Sequence, residues 1–143
     1  MSEAVAVFCS GLFFGVAFSI SLVQQPASLE LGPAFAARAF APMYRRAAPI
    51  QIALAFLGSL AALWTWWTGE GGAWLVGALL LFAVVPFTLI AILPTNQRLL
   101  ADAGTHDAAA TEALLQRWGL LHAVRTALSG AAFALQVVAL VLG

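Results

Sequence analysis

Trp118, His122, Arg125, Ser129 and Gln136 follow one another at spacings of four, three, four and seven residues, which puts all five on one face of a helix. The stretch around them is otherwise Ala, Leu, Val, Gly and Phe, and it is long enough to cross a bilayer. An imidazole and a guanidinium at that depth are costly, and the default reading is a functional site facing the interior of a bundle. His122 has three chemical roles open to it. As a general base it accepts a proton while Arg125, Asn96 and Trp118 stabilise the enolate or phenolate that forms. As an axial haem ligand it has an arginine available for a propionate, but His106, the other histidine, lies in a connector, which argues against a bis-His haem within one chain. A non-haem metal site is the poorest fit, because no span contains Asp or Glu.

The elements that must position these groups are set by composition. Of 143 residues 63% are hydrophobic and 8% charged, against about 25% charged in soluble domains. Four apolar runs are expected to span the membrane, at about 4–23, 50–68, 73–93 and 119–142, each with roughly the 20 residues that ~30 Å of hydrocarbon requires. The polar connectors are too short for a further domain, so the chain is expected to be all-α, a single transmembrane four-helix bundle over 1–143. The first run has no preceding Lys or Arg and a longer apolar core than a removable signal, so it is expected to stay as the first helix. Six arginines balance six acidic residues, and nothing points to nucleic acid. Cys9, the single cysteine, is expected to be a packed thiol.

Arg38, Arg45 and Arg46 lie between spans one and two, and Arg98 and Arg117 flank the connector between spans three and four. The positive-inside rule then puts both connectors in the cytoplasm and both termini outside, in a bacterial cytoplasmic membrane. Trp64, Trp66, Trp67 and Trp74 bracket the turn Gly69-Glu70-Gly71-Gly72 as an aromatic belt at the outer interface would. Each half reads as helix, proline (Pro26 or Pro94), an arginine-bearing connector and helix, a loose duplication. The segment Pro33 to Arg46 is expected to lie on the membrane surface. Thr105 or Asp107 is expected to cap a helix that starts at Ala108 and is ~54 Å long. Gly11, Gly15 and Ser19 form one row of small residues, and Gln51, Ala55, Gly58, Ala62 and Thr65 form another, as close helix approach in lipid requires. The row on the first span also suits a homo-oligomer. Pro86 is expected to kink the third span.

With alternating helix directions, Gln24, Gln25, Gln51, Thr95, Asn96, His122 and Arg125 fall near one end of the bundle. Thr88, Ile92 and Asn96 share a face, so Thr88 and Asn96 are expected to look toward His122. Phe13, Phe14, Phe18 or Phe87 would wall a pocket for a small apolar ligand, with Trp118, Thr95, Thr88, Gln24 and Gln51 in contact with it. The competing reading is purely structural: helix ends are where Gln and Asn cost least, Arg125 snorkels to headgroups and His122 is a packing residue.

Particular motifs resemble the anthrone oxygenase-like family of small four-helix membrane proteins. They are Phe14-Gly15, Pro26-Ala27, Tyr44-Arg45-Arg46, Pro94-Thr95-Asn96 followed by Leu99, and Trp118 with His122 and Arg125. The sharpest are Pro-Thr-Asn and Trp-x-x-x-His-x-x-Arg. The resemblance implies oxidation of anthrones to anthraquinones with O₂, a small apolar aromatic substrate, and no metal or flavin. On that footing His122 is the expected base, Arg125 and Asn96 the oxyanion stabilisers and Trp118 a stacking wall. A haem- or quinone-binding protein with His122 as ligand, or a non-catalytic scaffold, are the alternatives. Transport has weak support, since no intramembrane carboxylate is available for coupling.

Overall fold

The computed structural model describes residues 1–101 and 107–143. They form four helices, α1 (Ser2–Glu30), α2 (Pro33–Trp67), α3 (Gly72–Ala101) and α4 (Ala108–Leu142), each long and apolar enough to cross a membrane. This is an all-α transmembrane bundle. α1, α2 and α3 run past the expected span limits because the flanking polar segments continue the helices beyond the apolar windows, and α4 starts at Ala108 as expected. Pro33 to Arg46 is thus not a separate surface segment: it is the first third of α2, which passes through Pro42 and Pro49 without a break. The reversals are tight. Gly32 (φ 95°) joins α1 to α2, and Gly69 (φ 103°) and Gly71 (φ 90°) form the hairpin between α2 and α3, backbone conformations that cost glycine little.

The helices pack in cyclic order α1, α2, α3, α4, and α2 also meets α4 across the bundle. Three core layers stack from the hairpin end, where Ala6, Ala62, Trp74 and Ala78 meet, through Phe13, Ala17, Ala55, Leu81, Val84 and Ala132. The third, at the connector end, holds Ile20, Ala36, Phe40, Ile92, Leu99, Leu115 and Trp118. The row Gln51, Ala55, Gly58, Ala62 and Thr65 is buried throughout. Its counterpart on α1 is not: Gly15 is exposed with open space around it, and α1 packs through Ala6, Cys9, Ser10, Phe13 and Ala17. The tryptophan belt is also narrower than expected. Trp64 and Trp67 face outward, whereas Trp74 is a core residue, 1% exposed.

α1 and α3 each widen into one π-helical turn, Ile20–Gln24 in the first and Thr88–Ile92 in the second. Each precedes a proline, Pro26 or Pro94. A proline donates no N–H to the carbonyl four residues back and its ring crowds that oxygen. The carbonyls concerned, Leu22 and Ile90, both lie inside the widened turns. The two halves thus share a structural device that residue identity hides. In α3 the departure from regular winding is this turn after Pro86.

α4 begins at Ala108 with Asp107 as its N-terminal cap residue, although the Asp107 side chain makes no capping hydrogen bond. Thr105 and His106 lie outside the described residues.

Candidate functional site

His122 sits about 21 Å along α4 from Ala108, one turn beyond Trp118 of the connector-end layer, and is 2% exposed. Trp118, Ser129 and Gln136 are buried on the same face, between 0% and 4% exposed. The face read from the spacing points into the bundle. Trp118 lies against the imidazole with ring centroids 4.7 Å apart and planes 27° apart, and its indole N–H donates to Asn96 Oδ1 at 2.7 Å. That bond fixes the Asn96 amide, because an indole only donates.

Arg125 also turns inward. Its guanidinium lies 4.9 Å from the centroid of the Phe13 ring, a favourable cation–π placement, and it donates to Gln51 Oε1. Neither cavity that it borders has an acidic lining residue. Its charge is met by an amide and an aromatic face.

The proton on His122 can be placed by counting hydrogen bonds. Thr126 Oγ1 is 2.9 Å from the His122 carbonyl and 3.3 Å from that of Ala17, and carbonyls only accept, so its proton goes to one of them. Its oxygen then accepts from Ser21 Oγ, 2.9 Å away. Ser21, with its proton committed, accepts from His122 Nδ1 at 2.7 Å. This arrangement satisfies every contact in the chain, assigns the proton to Nδ1 and leaves the lone pair on Nε2. Nε2 makes no hydrogen bond among the described residues.

His122 borders an inner chamber of about 30 Å³, together with Tyr44, Gln51, Asn96, Trp118 and Arg125. Such a space holds a water or a diatomic gas and no larger ligand. Larger apolar cavities flank it. One, of about 300 Å³, lies between α1 and α2 and shares Ile20, Met43 and Trp118 with the chamber. The other, of about 270 Å³, lies between α2 and α3 and shares Tyr44, Ala48, Gln51 and Arg125.

The expected site residues are only partly brought together. His122, Arg125, Asn96, Trp118 and Gln51 meet at the chamber. Thr88 does not reach His122: its hydroxyl donates to the Val84 carbonyl at 2.7 Å and it lines the α2/α3 cavity. The cause is the π turn, whose wider winding breaks the four-residue periodicity that placed Thr88 with Asn96. Gln24 is exposed on the rim of the α1/α2 cavity, away from the chamber. Thr95 is buried but lines none of the three spaces. Of the four phenylalanines expected to wall the pocket, Phe13 does so. Phe14 packs on Phe18 and Phe133, Phe18 is exposed, and Phe87 supports the core at the connector end. Ser21 and Thr126 were not anticipated. Thr126 was findable as the residue one turn after His122, whereas Ser21 shows in the sequence only as a polar break in the first apolar run.

A family model described as anthrone oxygenase matches residues 40–135. The chain belongs to the anthrone oxygenase family. The matched segment contains every chamber residue contributed by α2, α3 and α4, while Ser21 of α1 lies before it. Neither a curated protein nor a solved structure matches the chain. Among the described residues no group of three or more His, Cys, Asp or Glu side chains is placed to hold a metal ion.

Proposed function

We propose that this protein is a membrane-embedded, cofactor-independent oxygenase that oxidises a small, flat, apolar aromatic molecule of the anthrone type with O₂, using His122 as general base. The observation that carries the reading is a buried imidazole, its Nδ1 bonded to Ser21 and through it to Thr126, at a small chamber that Arg125 borders and no acidic residue lines. Membership of the anthrone oxygenase family supports the same chemistry.

The steps balance without a further reductant. His122 Nε2 takes a proton from the methylene carbon of the substrate, and the negative charge moves onto the carbonyl oxygen. Arg125, Gln51 and the Asn96 amide N–H groups stabilise that oxyanion. The electron-rich ring gives up electrons to O₂, a C–O bond forms at the former methylene carbon, and the peroxide takes back the proton from His122. Loss of the second hydrogen of that carbon as a proton, with cleavage of the O–O bond, gives the quinone carbonyl and one water. Trp118, stacked on the imidazole, fixes the plane of the base.

A haem on His122 fits the same geometry poorly. The space beyond the ring is about 30 Å³ and Trp118 covers one face of the imidazole, so a porphyrin over Nε2 would have to displace much of the lining, more than the edge of a tricycle would. For orientation we propose that the connector end faces the cytoplasm of a bacterium and both termini lie outside, on the strength of the arginines at that end.

The test is oxygen uptake by purified protein supplied with an anthrone. Uptake is expected to stop in His122→Ala while the helical circular dichroism and melting temperature stay near those of the parent. Unchanged uptake in that variant would falsify the assignment. A Soret band that disappears in His122→Ala would support the haem reading instead.

A further inference from the structure

The two cavities that flank the chamber differ in how their polar groups are occupied. In the α1/α2 cavity Gln25 donates to the Leu115 carbonyl at 2.7 Å, Ser28 to the Gln24 carbonyl at 2.7 Å, and Gln24 to Ser19 Oγ at 3.4 Å. Each is already bonded within the protein. Two donors on residues that border both the α2/α3 cavity and the chamber are not: Arg125 Nε and Gln51 Nε2 are buried without a hydrogen-bond partner among the described residues. Rotating the Gln51 amide does not relieve this, because Oε1 must face the donor-only guanidinium of Arg125. Gln51 is 3% exposed, so bulk water does not reach it. A buried N–H without a partner is costly, and a ligand oxygen that the two side chains turn to meet removes the cost for both donors at once.

We infer that the α2/α3 cavity is the substrate seat: a flat aromatic molecule lies in it with a carbonyl or phenolate oxygen at its edge held by Arg125 Nε and Gln51 Nε2. The inference rests on the reading of His122 as the base and names where its substrate binds. The remaining lining suits the rest of such a molecule, since Phe13, Val84 and Val85 offer apolar walls. A volume of about 270 Å³ is at the small end of ligand pockets, as a rigid tricycle requires. Because Tyr44, Ala48, Gln51 and Arg125 border both spaces, a molecule seated there presents its edge to the chamber. Ile52, Phe56 and Leu89 line the same cavity and are 57%, 42% and 59% exposed on the outer surface of membrane helices. The mouth therefore opens onto lipid, and the substrate arrives sideways from the bilayer, where an apolar polycycle already partitions.

The experiment uses the full chain in phosphatidylcholine nanodiscs, titrated with 1,8-dihydroxyanthraquinone and followed by the visible absorption band, which moves to longer wavelength as the quinone carbonyl accepts strong hydrogen bonds or a phenol ionises. Val85→Trp, which fills the cavity, is expected to weaken binding by about tenfold or more, as is Ile52→Trp, a lipid-side substitution that leaves the core intact. Gln51→Leu is expected to weaken it by about five- to tenfold through the lost donor. Ala39→Trp, which fills the α1/α2 cavity, is expected to leave the Kd within about twofold, since no unmet donor lies there. Absence of a saturable shift in the parent protein overturns the inference. So does binding that survives both Val85→Trp and Ile52→Trp, or that is lost in Ala39→Trp. The base and the seat fail separately. Loss of oxygen uptake in His122→Ala with an unchanged KM for an anthrone in Val85→Trp keeps the base and overturns the seat; the expected Kd pattern with uptake intact in His122→Ala does the reverse.

Discussion

An imidazole can be a base only if its lone pair points at the substrate, and here two hydroxyls decide which nitrogen that is. The chain from His122 Nδ1 through Ser21 to Thr126 and a backbone carbonyl holds one tautomer in place, as carboxylates and carbonyls do for other functional histidines. In ¹⁵N spectra of protein labelled at histidine, His122 is expected to show a protonated Nδ1 and an unprotonated Nε2. Ser21→Ala removes the acceptor and is expected to mix the tautomers and lower kcat by about tenfold with KM unchanged. Ser21→Thr, which keeps the hydroxyl, is expected to restore both. A protonated Nε2 in the parent, or a spectrum that Ser21→Ala leaves alone, contradicts this. The histidine and its arginine were legible in the sequence, because three- and four-residue spacings on one helix fix a shared face whatever the neighbours do. Ser21 was not, because its meeting with His122 depends on the relative depth of α1 and α4 and on the widened turn that carries it.

Small residues in a membrane helix permit close packing but do not say which of them is used, and the two rows in this chain show the difference. A methyl group on Gly58 would lie 2.8 Å from Leu81 Cδ2 and 3.0 Å from Cys9 Cβ, whereas one on Gly15 would meet nothing within 4 Å. Gly58→Val is therefore expected to destabilise the bundle by about 1–3 kcal/mol through overpacking. Gly15→Ala is expected to be neutral or to stabilise it by up to about 1 kcal/mol through helix propensity. Reversible unfolding in mixed detergent micelles measures both, and equal losses at the two positions would contradict the assigned packing faces. The four apolar helices themselves were plain from hydropathy. The start of α4 at Ala108 was also legible, but that of α2 was not, since α2 continues through a segment whose polarity resembles that of a loop, and the π turns were invisible to a reading that assumes 3.6 residues per turn. That same assumption sent Thr88 to the wrong face, whereas Thr95 and Gln24 were put beside the chamber by depth alone, and one is packed elsewhere and the other exposed.

At the scale of the whole molecule the arginines separate into two kinds. Arg38, Arg45, Arg46, Arg98 and Arg117 are exposed at the connector end, while Arg125 faces the chamber. The positive-inside argument depends on flanking charges that contact the membrane surface, and the recruited arginine is not one of those that set the bias. The opposite end carries Glu70 in the hairpin and the outward Trp64 and Trp67, with no arginine. Cys9 is 5% exposed inside the bundle, so it is a silent background for cysteine labelling. In spheroplasts a membrane-impermeant maleimide is expected to label Glu70→Cys in the hairpin and to leave Gln116→Cys, in the first turns of α4, unlabelled until the membrane is opened. The reverse pattern would put the connector end outside. In the expected orientation the chamber lies nearer the cytoplasmic end, while the α2/α3 cavity opens to the hydrocarbon. An apolar substrate and O₂ can then both arrive through lipid, where each is more soluble than in water, without the bundle exposing the imidazole to the aqueous phase on either side.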